Sequence, residues 1–371
     1  MKRRWRALVV AAPLVGLLGG MTIPVPVGDA AAATSACQPR SSTGKLPTVT
    51  AADAGRLVMA ALPGPTLDRA TKQLLTARHL GGVILFGRSI RNAAQLTALD
   101  KAIHAAAGTR RTVISTDQEG GTVRRITFAP PAASAQAQAT LSHDKLSALW
   151  HQAGKQLRTL GIDLDLAPVV DLALPGSFEG TRAYSADANL VGSSAEAAIV
   201  GLGDGGVGAT AKHFPGLGGT KHSTDDAVVH APTPTKASLF PYEVAVKAGV
   251  PVVMVDLAIH AGLGTRPAAL APKTYTLLRQ KVYFHGVAIT DALDAVAARS
   301  VGPETQTAVA AICAGADMVI APGSPEVARA VIDAIAAAVK SGRLPHARFA
   351  EAVMRVDRLA KHPGQGSPAT E

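Results

Sequence analysis

Val207-Gly-Ala-Thr-Ala-Lys-His-Phe-Pro-Gly-Leu-Gly-Gly-Thr-Lys-His-Ser-Thr-Asp-Asp226 reads as an apolar strand that runs out into a loop. Lys212 and His213 stand at the carboxyl end of the strand. Pro215, Gly216, Gly218 and Gly219 then forbid both helix and ladder, so the chain must leave the sheet. From Lys212 to Asp226 the stretch carries two histidines, two lysines and two aspartates. Polar groups gathered where a strand opens into a glycine-rich loop have the layout of an α/β active site, because strand ends are rigid and loops can close over a ligand. A solvated surface loop has the same composition, and the rest of the chain decides between the two.

On both sides of this stretch, short apolar runs alternate with longer alanine-rich helical stretches. The runs are Leu57–Ala61, Val83–Phe86, Thr112–Thr116, Ile162–Ala167, Val207–His213, Val252–Leu257, Val287–Asp291 and Asp317–Ala321. Strand–helix alternation implies a parallel sheet, and eight such strands fit a closed (β/α)8 TIM barrel. The alternative is an open doubly wound sheet. Phe86–Arg88, Asp117–Glu119, Pro168–Asp171, Lys212–His213, Asp256 and Asp291 put polar groups after strand upon strand, and one barrel mouth collects them all. The barrel domain is expected over residues 51–362, with no second domain boundary and no internal repeat.

At 371 residues with 47% hydrophobic side chains, the chain can bury a large core. Residues 1–36 read as a secretory signal: Lys2, Arg3, Arg4 and Arg6 precede the apolar run Ala7–Gly19, with small residues around Ala31–Ala36. The run falls short of the roughly 20 apolar residues of a membrane span, so the mature chain is expected to be exported to the cell envelope or beyond. Residues 37–50 read as a flexible tether and 363–371 as a disordered tail. Cys37 follows Thr34-Ser35-Ala36, a weak match to a lipid-anchored first cysteine. Cys313 reads as a small buried residue rather than a partner for it, and two cysteines make no disulfide framework. The formal charge of +10 falls to about +7 without residues 1–36. That balance suits an anionic cell envelope. Nucleic acid fits poorly, since the basic residues are scattered and only 4% of residues are aromatic. The chain reads as a monomer.

Other chemistries find no match. Gly203-Asp-Gly-Gly-Val-Gly208 fits the dinucleotide pattern, yet it precedes a strand where the mechanism needs a strand before it and a helix after it. Pro215–Lys221 misses the phosphate-loop spacing. There is no H-E-x-x-H or G-x-S-x-G, and His213 and His222 stand nine apart in a loop, so no metal site is expected.

Carboxylates at strand ends point elsewhere. Asp291 ends the run Gly286-Val-Ala-Ile-Thr-Asp, where the backbone can fix it as a nucleophile; capping the next helix is the plainer role. Asp117-Gln-Glu-Gly-Gly-Thr-Val-Arg-Arg125 puts two acids at another strand end. A retaining glycosidase needs two such groups, about 5–5.5 Å apart, one attacking the anomeric carbon and one protonating the leaving oxygen. This stretch, Lys212-His-Phe-Pro-Gly216, Ile289-Thr-Asp-Ala-Leu293 and Ala314-Gly-Ala-Asp317 follow one another in the order seen in family three glycoside hydrolases. Across about residues 55–325 the chain resembles that family, nearest to single-domain bacterial β-N-acetylglucosaminidases of cell-wall turnover. Gly82-Val-Ile-Leu-Phe86 and Leu166-Ala-Pro-Val-Val-Asp171 fit as well.

The resemblance implies a TIM barrel that works by a retaining mechanism without metal or organic cofactor on carbohydrate, here wall (peptidoglycan) fragments ending in N-acetylglucosamine-type sugars. It implies Asp291 as nucleophile and Asp117, Arg125, Arg182 (in Gly180-Thr-Arg-Ala-Tyr-Ser185), Lys212 and His213 as the groups that hold the terminal sugar. Charged donors suit sugar hydroxyls. The sequence departs from the family at its acid/base: Ser223 and Asp225 stand where the family has an Asp-x-His pair. Leu217, Thr122 and Asp256-Leu257 differ from its usual residues too. Asp225 is the first candidate for the acid/base, His222 the second and Asp226 the third. Raising an aspartate from about 3.9 to about 6 takes roughly 2.8 kcal/mol, which burial beside other carboxylates can supply. A glycan-binding barrel without catalysis and a phosphorylase on the same fold are the alternatives.

Overall fold

The computed structural model describes Cys37 and residues 48–365. The expected signal over 1–36, residues 38–47 of the expected tether and residues 366–371 of the expected tail lie outside the described residues.

Eight strands form the centre: β1 (Val58–Ala61), β2 (Gly82–Leu85), β3 (Val113–Thr116), β4 (Leu164–Asp165), β5 (Thr210–Phe214), β6 (Val252–Val255), β7 (Val287–Ala292) and β8 (Met318–Ala321). Each overlaps one of the runs read from the sequence. They pair in parallel in the order β4-β3-β2-β1-β8-β7-β6-β5. The ring closes between β4 and β5, where Asp165 donates to the Gly208 carbonyl (2.8 Å), Thr210 to Ala167 (2.7 Å) and Val170 to Lys212 (2.8 Å). This is the expected (β/α)8 barrel. β4 is the most shortened against its run, two residues of the six from Ile162 to Ala167, and Pro168 has no N–H with which to extend the ladder.

One long helix follows each strand: α1 (Arg69–Arg78), α2 (Ala93–Ala107), α3 (His143–Thr159), α4 (Ala188–Asp204), α5 (Lys236–Lys247), α6 (Pro272–Gln280), α7 (Glu304–Ala314) and α8 (Pro325–Lys340). A ninth, α9 (His346–Lys361), ends the fold. The sequence of α8 shows why such segments are helical. The Ser324 side chain accepts from the Val327 N–H, Pro325 takes the first turn, and Ala328, Val331, Ile332, Ile335 and Ala338 bury one face. The glycines that imitate a dinucleotide motif serve helix packing. A Cβ on Gly205 would lie 2.7 Å from the Gly154 Cα of α3, and one on Gly208 would lie 2.3 Å from the Pro363 carbonyl oxygen. Residues 363–365 of the expected tail therefore run against the barrel.

The end of the barrel opposite the mouth is held by charge. Asp317, just before β8, is fully buried, and its carboxylate accepts from Arg348 (2.5 Å), Arg355 (3.0 Å), Arg279 (2.6 Å) and the Ala288 N–H (3.0 Å). Arg348 and Arg355 come from α9, which this network clamps across the barrel floor. Arg56, 1% exposed, bonds Asp357 of the same helix at 2.7 Å.

Cys37 is bonded to Cys313 at the end of α7. This corrects two expectations. Cys313 is no isolated small residue, and the Cys37 sulfur, committed to a disulfide, is not free to carry a lipid. The bridge spans 276 residues of sequence, so it restricts the unfolded chain over nearly the whole barrel. Cys37→Ser is expected to cost about 2–4 kcal/mol of stability, read from urea midpoints. Wild type unfolded under reductant should match the variant, and coincident midpoints for oxidised wild type and variant would show that the bridge does not restrain the fold.

Candidate active site

Four strand ends, those of β3, β4, β5 and β7, supply the polar groups of the barrel mouth. After β3 the chain turns through Gln118–Gly120 and back through Val123–Arg124, with Gly120 and Gly121 at φ 94° and 60°, values that L side chains rarely adopt. The turn returns the Arg125 N–H to the Asp117 carbonyl at 3.2 Å. The Gln118 side chain, buried beneath it, donates to the Ile126 and Ala129 carbonyls at 3.0 Å and accepts from the Ile126 N–H at 2.9 Å. In β5 the register against β6 slips between Ala211 and Phe214, across Lys212 and His213. In β7 the register against β8 slips between Ile289 and Ala292, across Thr290 and Asp291. Bulges of this kind re-aim side chains near active sites.

Lys212 is 2% exposed, and its Nζ lies 3.0 Å from Asp117 Oδ1 and 2.7 Å from Glu119 Oε1. Arg182 grips Glu119 with two bonds, Nε to Oε2 at 2.9 Å and Nη2 to Oε1 at 2.8 Å. Burial would raise the Glu119 pKa, but the charges of Lys212 and Arg182 prevail and hold it at about 2. Burial would likewise strip Lys212 of its proton, yet Glu119 and Asp117 raise its pKa above the ordinary lysine value. Glu119, Lys212 and Arg182 are thus ionised together at neutral pH, and Arg125 completes the wall with its Nε 3.6 Å from Asp117 Oδ2 and its guanidinium over the Phe86 ring.

His213 Nδ1 lies 2.7 Å from Asp171 Oδ2. Burial opposes the charge, but the hydrogen bond and charge of Asp171 raise the imidazole to about 9, so the ring is a cation at neutral pH and its second N–H is the one it can offer to the mouth. The Asp171 carboxylate also accepts the His213 and Leu217 backbone N–H groups at 3.1 and 2.7 Å. Asp171, Glu179 and His213 bring ligand-type atoms within 4.8 Å of one another. Because Asp171 is already satisfied by N–H donors, and Arg182 stands 3.0 Å from Glu179, this is an ion-pair network and we assign it no metal.

Asp117, Arg125, Arg182, Lys212 and His213 all line one cavity of about 220 Å³, and Asp291 and Asp225 line it too. Met254, Leu217, Phe178 and Ile84 give it apolar surface. Asp291 is half-buried, its Oδ1 accepting from the Ala292 N–H at 2.7 Å. Asp225 comes from the loop after β5, which the Val296 and Ala297 N–H groups hold through the carbonyls of Asp225 and Thr224, both at 3.1 Å. Its carboxyl is pushed above the usual value by the protein packed around it and then by the negative charge of Asp291. Asp225 is itself exposed, at the rim of the cavity; His222 and Asp226 are exposed as well and do not line it. Asp256 turns away to His260, 2.8 Å from its Nε2.

Residues 45–359 match the family described as Glycosyl hydrolase family 3 N terminal domain. The chain belongs to glycosyl hydrolase family 3. The resemblance carried by the ordered motifs is thereby borne out, and the protein is a glycoside hydrolase. This family 3 hydrolase is 34% identical over 293 residues to a β-hexosaminidase of Thioalkalivibrio sulfidiphilus, covering 75% of this chain and 84% of the relative. It is 32% identical over 331 residues to an uncharacterized secreted glycosyl hydrolase of Arthroderma benhamiae, with 83% and 92% covered. A solved β-N-acetylhexosaminidase of Beutenbergia cavernae superposes with a TM-score of 0.80 at 28% identity, over 85% of this chain and 100% of that one.

Sequence reasoning missed Glu179 in this family 3 site. It stands in Phe178-Glu-Gly-Thr-Arg182, a loop with no periodicity, and the only local signal was an acid three residues before an arginine already singled out.

Proposed function

We propose that the chain is an exported, retaining exo-β-N-acetylhexosaminidase that removes terminal N-acetylglucosamine-type sugars from cell-wall fragments. The observation that carries this reading is one cavity in which Asp291 and Asp225 meet the charged wall of Asp117, Arg125, Arg182, Lys212 and His213. The relatives named for hexosaminidase activity support the sugar class. In the first step an Asp291 oxygen bonds to the anomeric carbon as the glycosidic C–O bond breaks, and the proton of Asp225 goes to the departing oxygen. In the second step water attacks the same carbon, Asp225 takes the water's proton, and the Asp291 carboxylate is released. The wall side chains hold the terminal sugar through charge-assisted hydrogen bonds.

Export is supported by the disulfide, which persists in oxidising compartments, and by the secreted relative. Among the described residues no helix is long and apolar enough to cross a membrane.

The experiment is an assay of the mature protein on an aryl N-acetyl-β-glucosaminide and on a natural disaccharide, with and without phosphate. On the aryl substrate, whose leaving group needs little acid, Asp225→Ala should keep most of kcat/KM while kcat falls because the second step loses its base; on the disaccharide kcat/KM should fall roughly a hundredfold or more. Because the carboxyl of Asp225 is raised, it stays protonated to higher pH than an ordinary aspartate, and disaccharide turnover should favour acid and fall as pH rises through that pKa. A flat rate between about pH 4 and pH 8 would remove Asp225 from this role. Phosphate-dependent turnover would make the enzyme a phosphorylase, and no turnover of any hexosaminide would leave a glycan-binding barrel.

A further inference from the structure

We propose that Glu179 is a positioning residue, a buried carboxylate shared by Arg182 and His213 that fixes both against the terminal sugar. The proposal rests on the sugar-holding role proposed above for these two residues. The Glu179 side chain is fully buried, with Oε2 3.0 Å from Arg182 Nη1 and Oε1 3.7 Å from His213 Nδ1. Neither oxygen receives a hydrogen bond of good geometry. A buried carboxylate left this way costs stability, and every such group asks for a reason.

Folding alone gives none. Arg182 is already held on its other edge by the two bonds it donates to Glu119, and His213 is already held by Asp171 at 2.7 Å. What Glu179 adds is a common counter-charge between them. Arg182 belongs to the loop after β4 and His213 to β5, so the carboxylate ties two separately supported sugar-binding groups into one unit. The Phe178 N–H donates to the Thr220 carbonyl at 2.9 Å and fixes this loop to the one after β5, directly beside Glu179. The charged and titratable groups that face it are His213, Asp171, Arg182, Glu119 and the Tyr242 hydroxyl. Burial raises the Glu179 carboxyl to about 7, with His213 and Arg182 opposing. Glu179 does not line the cavity and touches no substrate in this arrangement; it acts through the two residues that do.

Glu179→Gln keeps the size of the side chain and removes its charge. In the folded variant, KM for the aryl N-acetyl-β-glucosaminide should rise roughly tenfold or more while kcat changes far less. The His213 imidazole, followed by NMR titration, should lose its proton at lower pH than in wild type, a change that a merely structural role for Glu179 would not produce. An unmoved KM in folded protein overturns the proposal, and so does an unmoved His213 titration. If Glu179→Gln does not fold, Glu179→Asp, which keeps the charge and withdraws it by one methylene, should raise KM in the same direction, and an unmoved KM in that folded variant overturns the proposal. If the wild type turns over no hexosaminide, the proposed activity has failed by itself, and the His213 titration alone decides the role of Glu179.

Discussion

Asp291→Ala is expected to lower turnover of an aryl N-acetyl-β-glucosaminide by roughly ten-thousandfold or more, with the fold unchanged. The expectation comes from position. Asp291 sits where β7 slips its register against β8, its Oδ1 fixed by the Ala292 N–H at 2.7 Å, in the cavity that also holds the five charged wall residues. A good leaving group spares the enzyme its acid but not its nucleophile, so this substrate isolates the loss. Thermal melting of the variant checks that the barrel survives. A folded Asp291→Ala protein that keeps a tenth or more of wild-type turnover would place the nucleophile elsewhere.

The second large effect is on stability. Asp317→Asn should cost about 3–5 kcal/mol, because it removes the one carboxylate that faces Arg279, Arg348 and Arg355 together and leaves their charges buried beside an amide. Glu351 compensates only in part, through Arg348 at 2.5 Å and Arg355 at 2.6 Å. Burial would raise the Asp317 pKa, but the three arginines drive it well below the ordinary carboxylate range. A carboxyl lowered on folding contributes fully above its unfolded pKa of about 3.9 and loses that contribution as pH falls through the folded value. The gap between wild type and Asp317→Asn should therefore be constant from neutral pH down to about pH 5 and narrow only in stronger acid. Urea midpoints at several pH values measure it, and a gap below about 1 kcal/mol would show that the network is not holding α9 to the barrel floor.

The barrel was legible because each strand is a continuous apolar run and each run is followed by a helical stretch with its own caps, as Ser324 and Pro325 show for α8. The polar wall was legible because Asp117, Lys212 and Asp291 stand at the ends of such runs. The pairing of Cys37 with Cys313 was not, since 276 residues separate them and no local pattern links the two. Nor was the floor network: Ala314-Gly-Ala-Asp317 stood among the family motifs, and only the three-dimensional contacts of Asp317 show that it lies at the other end of the barrel from Asp291. Glu179 and the separate fates of Asp225 and His222 share a cause. All three are in loops, where neither period two nor period 3.6 says which side chain faces inward.

The central claim is that Asp291 becomes covalently bound to the sugar. Wild-type protein incubated with a 5-fluoro-N-acetylglucosaminyl fluoride, which slows the second step, should gain the mass of one sugar, and peptide mass spectrometry should place it on Asp291. An adduct on another residue, or steady turnover of an aryl N-acetyl-β-glucosaminide with no adduct at all, would contradict the account.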